Sequence, residues 1–419
     1  MAACGLDFGT SNTTLGTTLG APAPGGARLL PLEGTSTTLP SSLFFDFETG
    51  GTAYGRAALE AYAAGAEGRL MRSIKSALGT DLIDADTSLG ARRISFRAVI
   101  GQYLREVRRR AEEAAGKPLD SVVHGRPVHF VDGDDAADAA AERALEEIAR
   151  GIGFADVSFQ YEPIAAALDY EQQVSREELA LIADIGGGTS DFSIVRIGPE
   201  RRGRAERAGD ILANDGIRVG GTDFDRDLSL SAVMPLLGFG SPMKRAGLLA
   251  PRSFFLDLAT WSRINFLYTA KSMAELKRVH RESAAPHLIE RLIGVVEEHR
   301  GHALALDVER AKITLSGSER TTLALDLDSE DPEITADALV DATGSLAGRI
   351  EARVRDCLVQ AGVTAERIDA VFLTGGSTLL PHVRAAIVGG FPEARVIEGD
   401  TFGSVGQGLS VEAVRRYGA

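Results

Sequence analysis

The chain opens on an apolar run, Ala2 to Leu6, then a Gly/Thr/Ser turn, then a β-branched alternating segment at Thr13 to Thr18. Alternation with period two marks a half-buried strand, so this start predicts strand, tight turn, strand. A Gly/Pro-rich stretch at Gly20 to Gly26 predicts a loop. Leu43 to Phe47 predicts a strand, Ala57 to Ala66 and Arg97 to Ala115 predict helices, and Ser121 to Phe130 predicts another strand. An Ala-rich helix is expected from Asp134 to Gly151, and a further helix from Tyr161 to Tyr170.

There the pattern restarts. Leu179 to Asp184 is a continuous apolar run suited to a strand buried on both faces, followed by a glycine triplet and a second strand, Phe192 to Ile197. From Asp225 to His302 the apolar period is mostly helical, and this stretch carries the only tryptophan, Trp261. Leu315 to Leu327 predicts a hairpin turning at Glu319-Arg320. Two helices and a closing strand, Ala370 to Thr374, complete the pattern.

One internal echo stands out. Asp7-Phe-Gly-Thr-Ser-Asn12 and Asp184-Ile-Gly-Gly-Gly-Thr-Ser-Asp191 share the order aspartate, glycine, Thr-Ser, short polar residue. Each follows an apolar strand and each leads into a strand, which predicts a duplicated lobe. Glycines at a strand-to-strand turn let backbone N–H groups converge on an anion, because no Cβ blocks the approach. Thr10, Ser11, Asn12 and Thr189 add side-chain donors. No Lys-Ser/Thr ending and no helix follow the glycines, which excludes a P-loop and favours two hairpins holding one polyphosphate. For either turn alone an ordinary β-turn is the competing reading. Asp7 and Asp184 sit at strand C-termini, where carboxylates one water removed would suit Mg²⁺; capping their own turns is compatible with that role.

Length and charge narrow the picture. The 419 residues exceed one ordinary core, so two lobes are expected. A formal charge of −14 disfavours a nucleic-acid backbone or an anionic membrane as partner. Cys4 and Cys357 lack metal-ligand spacing and read as buried free thiols. The N-terminus shows no signal-peptide pattern, and no apolar run reaches the ~20 residues that cross a bilayer. A cytoplasmic monomer is the expectation.

With these residues in view, the chain resembles the nucleotide-binding domain of the seventy-kilodalton heat-shock (DnaK-type) chaperones, within the actin-like ATPase superfamily. The motifs are GLDFGTSNTT at Gly5 to Thr14, YEPIAAALDY at Tyr161 to Tyr170, ADIGGGTSDFSIV at Ala183 to Val195, and VFLTGGSTLLP at Val371 to Pro381. VGGTDFD at Val219 to Asp225 and VERAKITLS at Val308 to Ser316 are also similar to chaperone segments. The segment DLATWSRINFLYTAKSMAEL looks most like the short YegD-type branch.

The resemblance implies an α/β fold of duplicated ribonuclease H-like lobes around a nucleotide cleft. Lobe I would cover residues 1–175 and lobe II 176–419, with a helical insertion at about 225–305. It implies ATP or ADP with Mg²⁺, and K⁺ as a further cation. Lys75 in IKSALG falls where the family orients the attacking water, and Glu162 and Pro127 match the pair that relays nucleotide state. Lys75, Glu162, Asp191 and Thr189 form the implied catalytic set, and Asp7 and Asp184 the hydrated-metal carboxylates. Gly9, Thr10, Ser11, Asn12, Gly186, Gly187, Gly188, Thr189, Gly220 and Gly221 would line the phosphates. Glu309, Lys312 and Ser316, at helical spacing, and Gly375, Gly376 and Ser377 would meet the nucleoside.

The chain departs from the family at specific places. Ile313 and Leu379 replace the two arginines that stack on adenine, which predicts weaker ATP affinity. Asn12 stands where an aromatic is usual, and Thr222 where an acid is usual. The expectation is a chain that ends after the second lobe, without the apolar linker and β-sandwich of a client-binding chaperone. Three outputs compete: a chaperone-like ATPase with a protein client or co-chaperone, a small-molecule kinase, and a filament-forming protein. Trp261, Phe266, Leu267 and Tyr268 either bind a partner or pack on their own lobe.

Overall fold

Two five-strand paths carry the architecture. In the first sheet the strands run Asp156–Tyr161, Ser121–Arg126, Ala3–Phe8, Asn12–Thr17, Arg28–Leu29, and Thr38–Pro40 also pairs with Asn12–Thr17. In the second they run Arg395–Glu398, Ala370–Thr374, Glu178–Ile185, Ser190–Ile197, Ile211–Ile217. Both read parallel, parallel, antiparallel, antiparallel across their neighbours. The sequence echo is therefore a structural repeat, and the mixed α/β architecture is actin-like. This computed structural model describes all residues except 1, 18, 20–26, 91, 203, 205, 206, 328–330 and 419. The loop expected at Gly20 to Gly26 lies outside the described residues.

Several expectations need correction. The strand from Ser121 ends at Arg126, not Phe130, because Pro127 has no N–H to continue the ladder. Leu315 ends the helix Gly301–Leu315 as a buried residue of its apolar face, so no hairpin starts there. The observed short hairpin pairs Arg320–Thr322 with Glu333–Thr335. Ala370–Thr374 does not close the chain: helix Pro381–Val388, strand Arg395–Glu398 and helix Ser404–Tyr417 follow it.

The last of these helices supports the site from beneath. It packs on helix Glu162–Glu171 and on strand Ala3–Phe8. A Cβ on Gly408 would overlap the Ala165 carbonyl, so only glycine permits this approach. Ala3, Val123, Ile164, Ala165, Ile182, Phe372, Leu409 and Ala413 form one buried cluster drawn from both sheets and both helices. Each large apolar side chain buried there stabilises by roughly 1.5–3 kcal/mol. The start of helix Glu162–Glu171, which carries Glu162, is fixed by this packing.

The chain divides into two compact units, 1–220 with 349–378 and 383–419, and 221–348 with 379–382. Both sheets belong to the first unit. The second is mainly helical, with helices Gly221–Ala232, Arg252–Leu258, Ala270–Glu282, Pro286–Glu297 and Gly301–Leu315. Within it Trp261 and Leu267 are buried, and Tyr268 stacks on His299 at 4.3 Å. Phe266 stays 38% exposed, so this group of aromatics packs mainly on its own unit. Cys4 and Cys357 are buried and free. Among the described residues no helix is long and apolar enough to cross a membrane.

Candidate functional site

Asp7 and Asp184 occupy matching places, each one residue before the end of its strand. The turns that follow lie against each other. A Cβ on Gly187 would overlap the Ser11 side chain, and one on Gly188 would come within 2.6 Å of Thr10 Oγ1. A Cβ on Gly220 would come within 2.5 Å of Gly188 N. Backbone thus replaces side chain at the point where two hairpins and a third loop converge, the arrangement that exposes N–H groups to an anion. The first turn is pinned from outside: Ser41 Oγ donates to Gly9 O at 2.7 Å, and Ser41 N donates to Ser11 O at 2.9 Å. Ser377 Oγ donates to Gly186 O at 3.1 Å, bringing the Gly375-Gly376-Ser377 turn to the second hairpin.

Beside the turns lies a buried charge cluster. Lys75, on the short helical turn Ile74–Ala77, places Nζ 2.6 Å from Glu162 Oε1, with side-chain exposures of 7% and 8%. Burial pulls the Lys75 ammonium down, but Glu162, Asp7 and Asp191 outweigh it and hold the amine above its ordinary value. Burial first, then the Glu162 charge, pushes Asp7 up to about 7, against Lys75. Asp191 is pushed up to about 7 for the same two reasons, opposed by the Val128 N–H and the Thr189 hydroxyl. Asp184 lies well above the usual carboxylate range through burial, then Glu162, Asp191 and Asp7. One lysine faces four carboxylates, and low-dielectric surroundings cannot hold all four ionised without a further cation.

That deficit bears on magnesium. Among the described residues no three His, Cys, Asp or Glu side chains converge to ligate an ion directly. Asp191 Oδ1 accepts from Val128 N at 2.6 Å, while its buried Oδ2 has no partner. Surplus buried carboxylate and an orphaned oxygen fit an ion held through its own water shell, as Mg²⁺ is commonly held.

The nucleoside candidates divide between the units. Glu309, Lys312 and Ser316 lie on or just after helix Gly301–Leu315 in the second unit, and Gly375, Gly376 and Ser377 lie in the first. Lys312 Nζ is buried and engaged by Asp225 Oδ1 at 2.7 Å and Gly221 O at 3.0 Å. Ser316 caps the helix C-terminus, its Oγ donating to Ile313 O at 2.7 Å. Ile313 and Leu379 are 60% and 55% exposed, so neither departure from the family's arginines serves a core. Asn12 starts the second strand opposite Pro40.

Sequence reading missed the groups that hold Asp191. Arg126 is buried; its Nε donates to Pro127 O at 3.0 Å and its Nη2 to Val128 O at 3.1 Å and Asp138 Oδ2 at 2.6 Å. Its Nη1 bonds Glu142, and its guanidinium lies over the Phe130 and Tyr161 rings. Asp138 and Glu142, four apart on one helix face, were a legible anionic pair; that Arg126 is their partner was not.

Comparison with known proteins agrees with this geometry. Residues 99–230 match the family model for MreB/Mbl protein, and residues 296–399 match that for Hsp70 protein. The chain is 27% identical to the "Chaperone protein HscA homolog" of Chromobacterium violaceum over 98% of its own length and 58% of that protein. The homologue of the same name from Shewanella amazonensis gives the same figures, 27%, 98% and 58%. That from Laribacter hongkongensis is 27% identical over 92% of this chain and 54% of its own length. The chain thus spans somewhat over half the length of these curated relatives. The chain is thus similar to Hsp70-type chaperones over most of its length and to MreB/Mbl over residues 99–230, and its repeated mixed sheets give it an actin-like fold.

Proposed function

We propose that the chain binds Mg·ATP at the paired glycine turns and hydrolyses it slowly, as a chaperone-like nucleotide switch. The observation that carries this reading is the juxtaposition, within one unit, of Thr10 and Ser11 with Gly187 and Gly188 beside the Lys75–Glu162 pair. The chain's division into lobes at 1–175 and 176–419 is part of the proposal, supported by the repeated sheets.

In this reading backbone N–H groups of both turns, with Thr10, Ser11, Asn12 and Thr189, hold the phosphates. Asp7 and Asp184 would hold a hydrated Mg²⁺, and the chemistry it would supply is charge neutralisation at the phosphates. Lys75, kept protonated by Glu162, faces the terminal phosphate. Asp191, with one oxygen fixed by Val128 N–H and the other free, orients the attacking water. Phosphoryl transfer needs positioning and charge more than a strong base. In the first unit Gly375, Gly376 and Ser377 are the proposed nucleoside contacts; in the second, Glu309, Lys312 and Ser316 are separate candidates for that role, with Ile313 and Leu379 in place of the arginines that the resemblance implies. A protein client or co-chaperone, a cytoplasmic location and a monomeric state complete the proposal.

The test is calorimetric ATP binding together with phosphate release in the absence of any acceptor. Binding with acceptor-independent release supports the reading; release only with a small-molecule acceptor would replace it with a kinase. The MreB/Mbl match over residues 99–230 favours a second reading, a filament-forming ATPase, and ATP-dependent sedimentation of the chain would establish that one.

A further inference from the structure

Lys75 sits in a turn whose entry is strained. Ser73, two residues before it, has φ 55° and ψ 33°, a left-handed conformation in a residue with a Cβ. Such a conformation costs about 1–2 kcal/mol and persists only where surrounding contacts impose it. Inside the turn, Ser76 N and Oγ both reach Ser73 O, at 3.0 and 2.6 Å. From outside, Ile74 and Ala77 are buried in the core, Lys75 pairs with Glu162, and a long cation reaches the backbone: Arg218 Nη2 donates to Ser76 O at 2.7 Å, from 142 residues away in sequence.

Arg218 is well placed to transmit position. Its own N–H donates to both oxygens of Asp132, at 3.1 and 3.0 Å, and its Nη1 reaches Phe130 O at 3.4 Å. The next residue, Val219, accepts from Ser190 Oγ at 2.7 Å, between Thr189 and Asp191. After that comes Gly220, against Gly187 and Gly188. One three-residue stretch therefore touches the Lys75 turn, the strap Pro127–Asp132 that fixes Asp191, and the glycine turn of the second hairpin. All these residues belong to the first unit.

We infer that Arg218 is a positioning residue, holding the Lys75 turn in register with the Gly186–Thr189 turn so that Lys75 meets the terminal phosphate. It touches no reacting atom and acts through Lys75. A planar fork reaching two carbonyls on different segments suits this task better than the single ammonium of lysine. The inference rests on the ATPase reading above.

Single-turnover ATP hydrolysis and ATP affinity are measured for wild type, Arg218→Met, Arg218→Lys, Lys75→Ala and the Lys75→Ala/Arg218→Met double variant. Arg218→Met is expected to slow the chemical step about 10- to 100-fold, the range for a misplaced catalytic group, with ATP affinity within about threefold of wild type. Arg218→Lys recovers part of that loss, and Arg218→Met adds nothing to Lys75→Ala. Amide exchange at Ile74 to Ala77 should quicken in Arg218→Met, with the melting temperature little changed. Unaltered turnover or unaltered exchange in Arg218→Met overturns the inference, as does a further loss in the Lys75→Ala background. Should Arg218→Met not fold, Arg218→Lys carries the test: a wild-type rate and wild-type exchange overturn the inference equally. A wild-type chain without turnover overturns the ATPase reading itself, whereas wild-type turnover insensitive to position 218 overturns only this inference.

Discussion

The turn that closes the first hairpin has one glycine, Gly9, whose carbonyl accepts from Ser41 Oγ; its partner in the second hairpin has three, Gly186 to Gly188, and the Gly186 carbonyl accepts from Ser377 Oγ. The strands on either side follow the same order and the same directions. What differs is chemistry. Asn12 and Asp191 close the two motifs at corresponding places, yet Asn12 begins a strand opposite Pro40 while Asp191 is buried, held by Val128 N–H and pushed up to about 7. Likewise the strand neighbour of Leu6 is His124, whereas that of Ala183, its counterpart, is Leu373. The backbone scaffold is the same in both halves, and the proposed function divides the work between them: side-chain donors from the first, glycine backbone and the Asp191 carboxylate from the second.

Exchanging residues between the halves tests this division. Asp191→Asn copies the first half's residue into the second and should slow hydrolysis about 100-fold, the low end for a proton-handling group, with ATP still bound. Single-turnover phosphate release reads it. The converse change, Asn12→Asp, should not restore turnover when added to Asp191→Asn.

His124→Leu copies the second half into the first. Burial, then the nearby Lys75 charge, hold the His124 imidazole down at about 4 against its Nδ1 bond to Gly125 O. Its Nε2 is buried without a partner. Because the unfolded chain takes up this proton near pH 6.5 and the folded chain only near 4, stability is lost as pH falls through that window. Denaturant midpoints should show wild type losing roughly 3 kcal/mol relative to His124→Leu between about pH 7 and 4, and little change in the difference above about pH 7.

Gly188→Val puts a side chain onto Thr10 and should raise the ATP dissociation constant at least about tenfold, read by calorimetry. Ser11→Ala removes only one donor of several and should raise it about threefold, within the range of a single neutral hydrogen bond.

The two hairpins were legible because their central strands are apolar throughout and their turns are punctuated by glycine. Edge strands were not. Ile211–Ile217 contains Asn214, Asp215 and Gly216, and Asp156–Tyr161 is only half buried, so neither offers a clean period. Helix Ser404–Tyr417 was hidden by Gly406 and Gly408, poor helix formers retained for close packing, Gly408 against Ala165 and Gly406 against Thr14. At the site, Lys75 and Glu162 lie 87 residues apart, and no local pattern could pair them; family resemblance did so. The Val128 N–H on Asp191 and the reach of Arg218 to Ser76 are backbone contacts, invisible to any reading of side-chain types.

The most direct test of nucleotide hydrolysis at the paired turns is acceptor-free phosphate release from Mg·ATP, compared between wild type and Lys75→Ala, with ATP binding measured in parallel. Slow release by wild type, loss of at least about 100-fold in Lys75→Ala, and similar affinity in both is the predicted result. Equal release by the two proteins, or none by wild type with ATP bound, would contradict it.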